Sequence, residues 1–429
     1  MSLAPDYAAT SFWAEDAEFP RGSEAWLPAS ADVVVVGAGY TGLAAARETA
    51  LAGKSTVVLD AGPIGGGCSS RNGGQVGFSV RPEFADLARR HGEGVATGIY
   101  REGLEAVAEL RALAHTAGFD CDWRGVGCFY GAHTPRHFEV LRRAADSQPA
   151  GLEQQIRVVP RAAQAEEIGS SFYHGGLVYP DDAAIHPLKL LNALYGRASS
   201  AGAVAYADCP VLALERSRDG FAVRTPHGTL RAGQVLIATN GYTGPVSPWH
   251  RRRVVPIGSY IIATEPLDPA LVTRLIPHGR NLVDTRHVVV YVRPSPDGRR
   301  ILFGGRAAAR EPDVTRCVPR LKAMMTEVFP ELARVRISRA WMGFVAFTFD
   351  SLPHLGSRDG LFHCMGYCGS GITLSTYYGR KIGRQIAGAA GGETALDGLP
   401  FTTRPLYGGR PWFMPAAILG YRLRDWLGW

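Results

Sequence analysis

The sequence predicts an α/β protein: a Rossmann-like β/β/α domain interleaved with an antiparallel-sheet domain. Two observations carry this expectation. Residues 32–36, four of them valines, run into Gly37-Ala38-Gly39-Tyr40-Thr41-Gly42, and a second apolar run, 55–59, closes on Asp60. Buried-strand patterns return at 234–238 and 362–366, separated by stretches with the texture of antiparallel strands and polar turns.

Consecutive valines suit a parallel strand covered on both faces. In the turn that follows, the first glycine permits a tight exit from the strand and the second lets backbone approach a pyrophosphate. The third lets helix and strand pack closely. A phosphate would sit against the unpaired amides and positive dipole end of a helix over residues 41–51. Asp60 stands where a carboxylate accepts ribose hydroxyls, and an acid there argues against a 2′-phosphate. NADP is thereby disfavoured, with FAD and NAD both open at this level.

Residues 81–145 read as helical, with apolar residues at helical spacing in 84–91 and 100–117. His186-Pro187 opens a helix to about residue 201, proline being suited to a first helical position. Short strands follow at 204–208, 211–215 and 221–225, with turns at 218–220 and 226–228, and a buried strand at 234–238 ends in Thr239-Asn240-Gly241. Segments 258–264, 288–293, 301–304 and 338–347 resemble antiparallel strands. The buried strand 362–366 leads through a glycine turn into a helix over 372–387. Residues 29–78, 186–243 and 351–400 therefore form one discontinuous dinucleotide-binding domain, and 79–185 with 244–350 a substrate domain. An N-terminal extension (1–28) and a C-terminal tail (401–429) flank them.

Composition excludes several classes. With 46% hydrophobic and 20% charged residues in a 429-residue chain, a large core is expected. The 52 glycines and 28 prolines are scattered, unlike collagen or disordered tracts. No apolar run spans a bilayer, and residues 1–20 lack the basic start of a secretory signal. Seven cysteines without paired metal spacing imply free thiols in a reducing cytoplasm and no metal. The net charge of +7 is almost wholly arginine, and the cluster Arg251-Arg252-Arg253 lacks interleaved aromatics, so no nucleic-acid partner is expected.

Taken together, these segments resemble the D-amino-acid oxidase-like superfamily of FAD-dependent oxidoreductases, and more closely its gamma-glutamylputrescine oxidoreductase branch. The resemblance spans nearly the whole chain. Beside the first glycine turn, Gly65-Gly66-Gly67-Cys68-Ser69-Ser70-Arg71-Asn72-Gly73-Gly74-Gln75 resembles the loop that runs under the flavin. Further matches are 235–241, 259–266, Leu302-Phe303-Gly304-Gly305-Arg306, 341–348, Cys368-Gly369-Ser370-Gly371 and the tail from Arg410 to Asp425. Two departures stand out: Ser370 where histidine is frequent, and Cys68 where alanine is usual.

The resemblance implies non-covalent FAD, a small amine substrate and O2 as electron acceptor. Gly37, Ala38, Gly39, Tyr40, Thr41, Gly42, Asp60 and Ala61 would hold the ADP half, with the Val211 backbone pairing to adenine. Ser69, Ser70, Arg71, Asn72, Gly73, Gly74 and Gln75 would lie along the ring, where consecutive glycines admit backbone amides and Arg71 and Asn72 supply donors. Thr239, Asn240 and Gly241 would also touch the cofactor. Gly369, Ser370, Gly371, Ile372 and Thr373 would direct helix amides at the charge a reduced flavin gathers. Arg306, Tyr260, Tyr291 and Gln75 are the candidates nearest the chemistry. Arg306 offers a positive charge, the two tyrosines a hydrogen bond or cation–π contact to an amine. Trp341 is a candidate pocket wall and His354 a lesser candidate base. Residues 411–429 would pack across the dinucleotide domain, with membrane-surface contact as the alternative. The expected reaction takes an amine to an imine and then an aldehyde, with H2O2 as co-product. A demethylase, an amino-acid oxidase, a dehydrogenase feeding a quinone or protein acceptor, and a flavoprotein subunit without turnover are the rivals.

Overall fold

The computed structural model describes residues 3–78, 80–306 and 313–427. Strand Ser30–Val36 lies in parallel register between Thr56–Leu59 and Gly228–Ile237, with Val36 opposite both Leu59 and Ile237. Val204–Tyr206 extends the parallel set beyond Thr56–Leu59, and Leu361–Met365 joins it beside Gly228–Ile237. Both faces of the central strand are covered. Val33 and Val35 enter one core with Leu43 and Ile382, while Val34 and Val36 enter another with Val223 and Leu230. Each such valine contributes about 1.5–3 kcal/mol by leaving water, which is why the run reads as apolar without alternation.

Helix Tyr40–Leu51 lies against helix Gly371–Ala387, and two glycines set the spacing. A Cβ at Gly379 would lie 2.6 Å from the Thr41 carbonyl oxygen, and one at Gly383 2.7 Å from that of Ala45. The Thr41 and Tyr367 hydroxyls, 2.6 Å apart, tie the starts of the two helices together.

The second sheet has nine strands in the order Leu3–Ala8, Ile337–Phe347, Val255–Thr264, Ile301–Gly305, Val290–Pro294, Asn281–Asp284, Cys128–Gly131, Gly175–Tyr179 and Arg157–Pro160. It is antiparallel except where Leu3–Ala8 meets Ile337–Phe347 and where Asn281–Asp284 meets Cys128–Gly131. One face packs Tyr260, Ile262, Val292 and Phe303 against Leu321 and Met325 of helix Val318–Val328. The other face sends Ile261, Ala263, Leu302 and Trp341 into the core shared with the dinucleotide-type sheet.

Two expectations need correction. The stretch 81–145 is not continuously helical: helices Phe84–His91, Glu93–Ala114 and Pro135–Asp146 are interrupted by strand Cys128–Gly131. That strand follows Gly127 at φ +74° and finds ladders on both sides, which outweigh local helical spacing. The C-terminal helix takes a different course from the one expected, although Phe401 at the start of the tail packs on the dinucleotide-type core. Met414 and Ile418 of helix Met414–Leu427 instead bury against Val255, Ile257, Phe347 and Phe349 of the antiparallel region. The Asp425 carboxylate accepts from the His287 and Val288 amides at 2.7 and 3.1 Å. Among the described residues, no helix is long and apolar enough to cross a membrane.

Candidate active site

The first glycine turn is shaped by contacts that exclude side chains. Gly37 has φ +106°, and a Cβ there would lie 2.9 Å from the Ala238 carbonyl oxygen. A Cβ at Gly42 would overlap the Gly37 carbonyl at 1.9 Å. Ser69 stands against Gly39, its hydroxyl accepting from the Tyr40 amide at 3.1 Å. Asp60 accepts from the Ala38 amide at 2.8 Å and the Gly62 amide at 3.2 Å. Burial raises its carboxyl pKa, and these amides, together with those of Gly65 and Ala61, pull back against that rise. The Cys209 amide donates to the Asp60 carbonyl at 2.7 Å, so half-buried Val211 lies two residues from the acidic corner.

The turn at 239–241 closes the opposite side. Asn240 accepts from the Gly366 amide at 2.9 Å, and a Cβ at Gly241 would lie 2.8 Å from the Phe344 carbonyl oxygen. The Thr239 and Thr243 hydroxyls are 2.8 Å apart. At the second glycine turn, Gly369 has φ +105° and the Cys368 amide donates to the Ala346 carbonyl at 2.9 Å. Ser370 precedes the helix and is buried, as are Ile372 and Thr373 in its first turn, with Ile372 joining the main core.

The loop from Cys68 to Gln75 is held from within and from both sides. Inside it, the Asn72 amide donates to the Ser69 and Cys68 carbonyls at 2.9 and 3.2 Å and accepts from the Gly74 amide at 2.9 Å. Ser70 donates to the Gly65 carbonyl at 2.9 Å. Asn72 thus directs its amide donors at the loop's own carbonyls and, at 3.3 Å, at the Tyr40 hydroxyl. From outside, Trp13 Nε1 donates to the Asn72 carbonyl (2.8 Å), Trp341 Nε1 to that of Arg71 (2.9 Å) and Arg293 Nη1 to that of Gly74 (3.0 Å). Arg71 Nη1 reaches the Met342 carbonyl at 3.3 Å, and Gln75 Nε2 the Val292 carbonyl at 2.9 Å.

Strand alternation decides which residues of the second sheet face this loop. Ser259 and Tyr291 do: their hydroxyls are 2.9 Å apart, and the Tyr291 ring abuts both Gly73 and Gly304. Burial pushes the Tyr291 phenol up, so it stays protonated at neutral pH. Tyr260, one residue from Ser259, points into the other core and is fully buried there with Ile262 and Phe303, so it does not bound the loop. Arg306 comes directly after strand Ile301–Gly305 and donates to the Gly258 carbonyl at 2.6 Å. Cys68 lies against Gly343, and burial pushes its thiol up to about 11, leaving it un-ionised and a poor nucleophile. His354 is engaged elsewhere, bonded to Asp350 at 2.9 Å and stacked on Phe401 at 4.2 Å.

Sequence reasoning missed Trp13 and Arg293. Arg293 did carry a signal, a lone arginine in the apolar strand Val290–Pro294, where a buried cation needs a reason.

The sequence profile described as FAD dependent oxidoreductase matches residues 32–385. The chain belongs to this family. It is 32% identical over 419 residues to a probable oxidoreductase OrdL of Rhizobium meliloti, covering 92% of each chain. It is 32% identical over 406 residues to the gamma-glutamylputrescine oxidoreductase of Escherichia coli, covering 92% of this chain and 93% of that one. Among solved structures, glycine oxidase from Geobacillus kaustophilus superposes with a TM-score of 0.72 at 22% identity, covering 88% of this chain and 99% of that one. The protein is therefore an FAD-dependent oxidoreductase with the fold of that structure. Its residues fit the cofactor: a turn too tight for a Cβ at Gly37 or Gly42, an acid at the end of the second strand, a helix start tied to the turn before a second helix, and a braced glycine loop.

Proposed function

We propose that this enzyme oxidises a primary or secondary amine of the gamma-glutamylputrescine type to an imine, which water hydrolyses to an aldehyde. The observation that carries the reading is the 32% identity to the Escherichia coli gamma-glutamylputrescine oxidoreductase across more than nine-tenths of both chains. Bound FAD would supply the hydride acceptor for the carbon beside the amine nitrogen, with O2 as the terminal acceptor giving H2O2. The chain's own task is then orientation and desolvation rather than covalent catalysis. In this reading Gly37 to Gly42 receive the pyrophosphate, Asp60 and Ala61 the ribose, and Val211 the adenine. Ser69 to Gln75, Thr239 to Gly241 and Gly369 to Thr373 surround the ring. Tyr291, neutral and bonded to Ser259, offers a hydrogen bond to the amine but not a base. Arg306 supplies positive charge near the ring.

The interleaved division 29–78, 186–243, 351–400 against 79–185, 244–350 belongs to the same proposal. All seven cysteines are free thiols, which supports a reducing, cytoplasmic compartment. Product analysis in air tests the chemistry. A longer aldehyde with stoichiometric H2O2 is expected. Formaldehyde would instead indicate a demethylase, a keto acid an amino-acid oxidase, and turnover without peroxide a dehydrogenase.

A further inference from the structure

Arg293 braces the Gly73–Gly74 turn with only part of its guanidinium. Nη1 donates to the carbonyls of Gly73, Gly74 and Ile185 at 3.4, 3.0 and 2.7 Å, and Nε to that of Pro294 at 3.2 Å. The guanidinium also lies over the Trp13 ring at 5.3 Å. All these partners are neutral. Nη2 has no acceptor among the described residues, although the residue is only 3% exposed. A buried cation satisfied by neutral carbonyls alone carries an uncompensated charge.

A cavity of about 180 Å³ adjoins it, lined by Arg293, Arg124, Thr273 and Ser295 and by the apolar Val272 and Ile276. Arg124 adds a second positive charge, partly offset by Asp122 at 3.4 Å. Burial, and then Arg124, press the Arg293 pKa down to about 9, with Asp122 pulling the other way. Ser295 is engaged by the Asp297 carboxylate and the Arg300 amide. His278 and Arg280 nearby face Glu167.

The geometry points to a binding site for a small aliphatic carboxylate in this cavity, coupled to the flavin loop through Arg293. A guanidinium fork matches a planar carboxylate in two-point contact, and the apolar wall suits a short hydrocarbon body. An anion on Nη2 draws on the same planar group whose Nη1 braces the Gly73 and Gly74 carbonyls, so occupancy changes the loop along which the flavin would lie.

The FAD-loaded enzyme titrated with glutarate tests this, by calorimetry and by flavin fluorescence. One saturable site is expected, with a fluorescence change that tracks the heat, and the uncharged diamide of glutaric acid should give neither. Arg124→Ala should weaken binding at least about tenfold, the scale of one charge-assisted hydrogen bond. Thr273→Trp, at the cavity mouth, should abolish binding while leaving flavin content and melting temperature unchanged. Absence of saturable heat, or equal affinity in both variants, would overturn the assignment. So would loss of binding in Arg306→Ala with Arg124→Ala unaffected, since the anion would then sit at the flavin site.

Discussion

Acidification should unfold this enzyme through two histidines that no function explains. His250 and His363 are buried, their rings 4.8 Å apart, and His250 Nε2 and His363 Nδ1 have no hydrogen-bond partner among the described residues. Burial first, then neighbouring positive charges including Arg253, lowers the two pKa values to about 4 and about 2. Both rings are thus neutral in the fold and take up a proton only on unfolding, so stability is full above about pH 6.5 and is lost as pH falls below it. Each group removes about 1.4 kcal/mol per pH unit below an ordinary pKa of about 6.5, so the pair costs about 4 kcal/mol at pH 5. That is a large share of a typical net stability. His363 lies on strand Leu361–Met365, which leads into the second glycine turn, so flavin release should accompany the loss. Urea melts between pH 7.5 and 5, with flavin fluorescence recorded alongside, measure the slope. The charged groups facing the pair also include His354, which is bonded to Asp350, and Arg358. The informative comparison is therefore His250→Gln with His363→Phe against the parent. A double variant with the parent's slope would refute the reasoning.

Four further outcomes follow from the site. Gly42→Ala should cost at least about 1–3 kcal/mol and most of the bound FAD, read by melting temperature and flavin content, because its Cβ would overlap the Gly37 carbonyl. Asp60→Asn should weaken FAD about tenfold or more by replacing charge-assisted bonds with neutral ones, read by equilibrium dialysis. Trp341→Phe removes the 2.9 Å bond to the Arg71 carbonyl and should lower stability by about 1 kcal/mol while shifting the flavin spectrum. Tyr291→Phe should change steady-state amine kinetics, whereas Tyr260→Phe should leave kcat and KM as they were, since Tyr260 faces the other core.

What was legible in the sequence is what depends on local chemistry. The four valines, the glycine turn and Asp60 announce a nucleotide sheet because each residue's role is met by neighbours within one βαβ span. The braces on the loop from Cys68 to Gln75 were not legible. Trp13 meets Asn72 across 59 residues, and Arg293 meets Gly74 across 219, so nothing near either residue in sequence reports its partner. Facing was ambiguous for a related reason. Ser259, Tyr260 and Ile261 sit in a strand buried on both sides, so apolar alternation is absent and register alone assigns Tyr260 to the core away from the Cys68–Gln75 loop. Strand Leu3–Ala8 adds a parallel edge to Ile337–Phe347, a pairing that no local pattern encodes.

The central claim is that an extended amine of the gamma-glutamylputrescine type, rather than an amino acid, is the electron donor. The most direct measurement is anaerobic titration of the flavin absorbance with gamma-glutamylputrescine, putrescine, N-methyl amines and amino acids. The account predicts stoichiometric bleaching by gamma-glutamylputrescine or another extended primary or secondary amine. Bleaching by amino acids alone, or by none of these donors, would contradict it.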